Sequence, residues 1–94
     1  MAVTLHVLAQ PTQRAMTPTI EKRSVGSARA CVRRNREMWR NALADGEESF
    51  TALVLDAEGL PLKCWDFPRG GWGDDGTETG RAELREMRAA KAAE

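Results

Sequence analysis

Tyrosine is missing from this 94-residue chain, histidine occurs once, and cysteine only twice, at Cys31 and Cys64. Each shortage excludes a class of chemistry. A zinc centre needs three or four ligands, commonly with paired C-x-x-C spacing, so no metal is expected, and no cofactor. One disulfide at most does not make a disulfide scaffold; reduced, buried thiols are expected instead. His6 lies in a segment whose alternation turns it away from the apolar side, and no flanking signature of a thiol enzyme surrounds either cysteine. No catalytic residue is therefore assigned, and the chain is expected not to be an enzyme. Long apolar runs are also missing. None approaches the roughly 18 residues of a membrane span. Met1–Gln10 has neither the basic start nor the small-residue cleavage site of a secretory signal, so no membrane role and a cytoplasmic location are expected.

Lysine is scarce as well: three lysines stand against eleven arginines. With abundant alanine, this bias is what GC-rich coding DNA produces. The formal net charge is zero, yet the two halves oppose each other. Residues 1–44 hold eight basic and two acidic side chains, a net of +6; residues 45–94 hold six basic and twelve acidic, a net of −6. Hydrophobic residues at 41% and charged residues at 30% describe one soluble domain spanning 1–94.

Val3-Thr4-Leu5-His6-Val7 alternates at period two, and this pattern predicts a first strand with Val3, Leu5 and Val7 inward. Residues 10–19, with two prolines, read as a loop. A helix follows, capped by Thr19, Ser24 or Ser27, with Ala28, Val32, Asn35, Trp39, Ala42 and Leu43 on one side and an end near Ala44–Asp45. Phe50–Leu55 reads as a central strand, apolar on both faces. Asp56–Gly59 forms a tight turn into a third strand, Leu60–Phe67, with Pro61 at its start or on an edge. Residues 68–76 are a glycine-rich loop, and 77–93 a weakly docked final helix capped by Asp75 or Thr77. The fold class is α+β: a small, mostly antiparallel three-stranded sheet packed by helices, in the order β-α-β-β-α. The relation of the first two strands stays open.

Arg29, Arg33, Arg36 and Arg40 follow the spacing i, i+4, i+7, i+11, which gathers them within about 60° of a helical wheel. Four like charges on one ridge repel unless something negative faces them. Nucleic-acid phosphate, an acidic protein surface or the chain's own acidic half would each serve. Trp65, Phe67 and Trp72 lie close together, with Arg69 among them. Trp72, set among glycines, is either an interface anchor or a plug for the sheet edge. Gly71-Trp72-Gly73-Asp74-Asp75-Gly76 has the spacing G-x-G-x-x-G of a dinucleotide fingerprint, but Asp74 and Asp75 would repel a pyrophosphate. Too few residues follow for the required second strand.

These features point to a small non-enzymatic protein-binding module, a regulator or inhibitor of a nucleic-acid-handling or defence complex. The phage or mobile-element type, exemplified by anti-restriction and anti-CRISPR proteins, enters on base rate alone. The expected partner-binding residues are Arg29, Arg33, Arg36, Arg40, Arg69, Trp72, Asp74 and Asp75. The alternative is a nucleic-acid-binding module built on the arginine stripe. A homodimer that covers the apolar third strand also remains open.

Overall fold

The computed structural model describes residues 2–94. Among them the chain forms β1 (Val3–Gln10), β2 (Ile20–Lys22), α1 (Val25–Asn41), β3 (Ser49–Leu55), β4 (Pro61–Pro68), β5 (Thr77–Glu78) and α2 (Arg81–Ala92). The sheet has five strands in the order β2-β1-β3-β4-β5, and every neighbouring pair is antiparallel. Both the three-stranded sheet and the β-α-β-β-α order are thereby corrected. The two additional strands have three and two residues. Segments that short carry no readable alternation; they form because the long strands beside them offer unpaired backbone groups at their edges.

The relation left open between the first two long strands is antiparallel and adjacent: Val7 pairs with Ala52 and Gln10 with Ser49. In β1 the alternation is complete, with Val3, Leu5, Val7 and Ala9 buried. Phe50, Ala52 and Val54 of β3 and Trp65 and Phe67 of β4 share that face, and α1 lies across it with Ala28, Cys31, Val32, Trp39 and Leu43 inward. Phe67 stacks on Phe50 with ring centroids 4.7 Å apart, and Trp39 meets Phe50 edge-on at 5.9 Å. Each such pair contributes about 0.5–1.5 kcal/mol beyond its buried area.

Local chemistry explains the boundaries. Ser24 caps α1: its hydroxyl accepts from the Ser27 amide at 3.1 Å, and the Ser27 hydroxyl accepts from the Ser24 amide at 3.3 Å. The helix ends at Asn41, before the expected Ala44–Asp45. The C-cap residue Ala42 and the two residues after it are held by partners from elsewhere in the chain. Arg14 donates to the Ala42 carbonyl at 3.1 Å, and Arg69 to the Leu43 and Ala44 carbonyls at 2.8 and 3.0 Å. Two cations at the negative end of the helix dipole stabilise it there. The β3–β4 turn is held by the Asp56 carboxylate, which accepts from the Glu58 and Leu60 amides at 2.9 Å each.

The final helix expected over 77–93 begins only at Arg81, with Gly80 at its cap and no side-chain capping bond, so Asp75 and Thr77 do not cap it. Thr77 and Glu78 instead pair with Asp66 and Trp65, and the Thr79 amide donates to the Cys64 carbonyl at 2.8 Å. These bonds hold the segment extended. α2 packs on the sheet face away from α1, buries none of its own residues, and is tied by Arg88 to the Pro61 carbonyl at 2.7 Å.

Candidate functional site

The outer flank of α1 and the loop that follows β4 form a highly charged contact. The 100° step of the helix sets the four arginines beside the core-facing side, where they meet the loop as it crosses over. Arg36 donates to the Asp75 carboxylate at 2.8 Å, Arg33 approaches its other oxygen at 3.8 Å, and Arg29 donates to the Asp75 carbonyl at 2.8 Å. Arg40 is turned inward. Its Nε donates to the Pro68 carbonyl at 3.0 Å, its Nη1 contacts Glu37, and its guanidinium lies 6.0 Å from the Phe67 ring. The Glu37 carboxylate also accepts from the Gly73 amide at 3.4 Å. The chain's basic ridge and its acidic loop thus face each other.

A second contact extends this one along the sheet edge. Arg29 sits over the Trp65 ring at 4.7 Å, and the Trp65 indole donates to Glu78 at 3.3 Å. Burial, with the charge of neighbouring Arg33 next in weight, lowers the pKa of Arg29. Lys63 donates to Glu78 at 3.0 Å and is the main reason that the Glu78 carboxyl lies below its ordinary range.

Each residue singled out from the sequence has a defined place. Arg29, Arg33, Arg36, Arg40 and Asp75 come together at the clamp. Asp74 stands next to it and accepts from the Gly76 amide at 2.7 Å, shaping the loop. Arg69 caps α1. Trp72 projects from the middle of the loop with 78% of its surface exposed. Glu37 and Trp65 belong to the same cluster; Trp65 reads from the sequence as part of the aromatic group, but neither is among the expected partner-binding residues. The placement of Glu37 three residues before Arg40 on a helix, a pairing distance, is the signal that could have found it. Trp65 carries no comparable signal, because its contact with Arg29 joins residues distant in sequence.

No protein-family model, no curated protein and no solved structure matches the chain.

The groups weighed for catalysis do not converge. His6 and Cys64 share the α2 face of the sheet, but Leu53 stands between them in the register. Two strand spacings separate them, roughly 10 Å. Burial pushes the Cys64 thiol up, opposite to the activation that a nucleophile requires. Cys31 faces the α1 core. Among the described residues no group of three or more histidine, cysteine, aspartate or glutamate side chains could hold a metal ion, and no helix is long and apolar enough to cross a membrane. A cavity of about 330 Å³ opens between α2 and the β3–β4 hairpin, lined by Leu53, Leu55, Pro61, Met87 and Ala90, with Lys91 and Glu94 at its rim.

Proposed function

We propose that this chain is a non-enzymatic protein-binding module that engages its partner through residues 68–76, with Trp72 as the anchor. The observation that carries the reading is the exposure of Trp72 on a clamped loop. A large apolar side chain at 78% exposure is unfavourable in an isolated molecule. Here the backbone before it is held by Arg40 on the Pro68 carbonyl, and the backbone after it by Glu37, which accepts from the Gly73 amide. Such preorganisation lowers the ordering cost of association, and tryptophan is the residue most enriched at binding hot spots. The small size and the opposed charge halves support a regulator or inhibitor of a nucleic-acid-handling or defence complex, of the phage or mobile-element type.

The test is affinity capture from a GC-rich bacterial lysate with wild-type chain and Trp72→Ala side by side. A partner retained by the wild type and lost by the variant, at equal melting temperature, supports the reading. Equal retention by both, or none by either, refutes it. The nucleic-acid alternative is separated by fluorescence anisotropy with labelled DNA and RNA at two salt concentrations. Micromolar binding that falls steeply with salt would favour it.

A further inference from the structure

We infer that Asp75 is an internal stand-in for a phosphate, and that the ridge of Arg29, Arg33 and Arg36 is an oxyanion site closed by its own loop. The first argument is charge. Four guanidinium groups meet two carboxylates at this contact, Glu37 and Asp75. Glu37 occupies the inner end, shared by Arg40 and Arg36. At the outer end, Asp75 is the one carboxylate that pairs with Arg33 and Arg36; Glu78, which acts on Arg29 from the sheet edge, is already paired with Lys63. The second argument is hydrogen bonding. Arg29 Nη1, Arg36 Nε and Arg40 Nη2 are buried donors with no hydrogen-bond partner, against one buried acceptor in the same state, Glu37 Oε2, so unpaired donors outnumber unpaired acceptors three to one. Buried donors are ordinarily satisfied, and orphans at a charged cluster mark a site short of acceptors. A carboxylate presents two oxygens in one plane; a phosphate presents more, arranged to receive guanidinium forks from several directions.

The third argument is the cover itself. The orphan donors are closed to solvent, and the loop crosses Arg29, Arg33 and Arg36 at Asp75, so a ligand reaches them only when Asp75 moves aside. The movement needed is confined to the Asp75 end of the loop, while the contacts on Pro68 and Gly73 that hold the backbone around Trp72 stay in place. Glycines occupy positions 70, 71, 73 and 76. Asp75 stays 52% exposed, so its bridges are weak and exchangeable. An incoming phosphate replaces the Asp75 carboxylate on Arg33 and Arg36 and supplies the acceptors that Arg29 and Arg36 lack. This inference is independent of the partner assigned to Trp72.

The experiment is a titration of the ¹⁵N-labelled chain with inorganic phosphate at constant ionic strength, followed by NMR. The readouts are the arginine Nε–H signals and the Gly73 and Gly76 amides. Wild type is expected to bind weakly, with shifts confined to Arg29, Arg33, Arg36 and the loop. Asp75→Asn keeps the backbone carbonyl on Arg29 and removes the competing charge. It is expected to bind about threefold to tenfold more tightly. Adding Arg36→Gln, or the more exposed Arg33→Gln if the first variant melts early, should abolish the gain. A parallel titration with a short dT oligonucleotide identifies the source of the phosphate. Tighter binding than inorganic phosphate at the same signals assigns it to a nucleic-acid backbone, and weaker binding assigns it to a free phosphate group. Equal affinity of wild type and Asp75→Asn, or shifts that survive both arginine changes, would overturn the inference and leave a purely structural clamp. Loss of Trp72-dependent capture would not affect it.

Discussion

Gly76 tests the placement of the loop more directly than any charged residue does. Its φ is +86°, and a Cβ built there would lie 2.6, 2.8 and 2.9 Å from three atoms of the Phe67 ring. The ring cannot retreat, because it is fully buried and stacked on Phe50. Gly73 supplies the control. Its φ is +77°, in the same loop, but nothing lies within 4 Å of its Cβ position. Alanine at either position carries the left-handed penalty of about 1–2 kcal/mol. At Gly76 alone it also carries an overpacking cost of about 1–3 kcal/mol. The difference isolates the contact between loop and core. In a domain of this size each kcal/mol lowers Tm by about 4–8 °C. Gly76→Ala is thus expected to melt at least about 4 °C below Gly73→Ala. Differential scanning calorimetry of the two variants is the assay. Adding Phe67→Leu should shrink the gap in a double-mutant cycle, since the smaller side chain vacates the clash. Equal melting temperatures for the two alanine variants would refute the argument, and with it the position of the loop over Phe67.

Other expected outcomes follow from other parts of the fold. Bonds from Arg14 above all, and from Thr12 and the Ala44 amide, depress the pKa of the buried Glu47 carboxyl from the ordinary 4.5 to about 2. The stability this adds is complete above the unfolded-state pKa and is lost as pH falls from about 4.5 toward 2. Acid unfolding of Glu47→Gln should lack that portion of the pH dependence; curves of equal slope for variant and wild type would exclude it. Trp39→Ala removes the main anchor of α1 and should cost about 3–5 kcal/mol in urea unfolding. Trp72→Ala should change stability by no more than about 0.5 kcal/mol in the same assay. Both thiols should react with iodoacetamide far more slowly in the native chain than in urea, because both are buried; a fast native thiol would contradict that packing.

The sequence made the core of the fold readable and its periphery not. Val3, Leu5 and Val7 alternate, and the helix repeat of Ala28, Val32, Trp39 and Leu43 faces them, because burial imposes a period that survives in the residue order. Ser24 was among three possible caps, and only the reciprocal bond with Ser27 selects it. β2 and β5 are set by the edges they cover, so three and two residues carry no periodic trace of them. At the candidate site, the spacing of the four arginines was legible, since a helix fixes it. Their encounter with Asp75 was not, because Arg36 and Asp75 are 39 positions apart. No local pattern encodes which acidic residue a distant loop delivers. The exposure of Trp72 was open for the same reason: glycine-rich context permits either orientation.

The antiparallel pairing of β1 with β3 has a consequence for the order in which the molecule assembles. Gln10 meets Ser49 only after the 38 residues between them have been gathered in, and closing a loop of that length costs about 3 kcal/mol of chain entropy. The β3–β4 hairpin closes across a five-residue connection that the Asp56 carboxylate already braces. The hairpin is therefore the natural nucleus, and β1 is added to it as the expensive long-range step. β1, which leaves a ribosome before β3, would then find its place after it. Until β3 arrives, the edge of β1 opposite β2 waits unpaired with Leu5, Val7 and Ala9 uncovered, and slow synthesis or early truncation would leave it open to association with other chains.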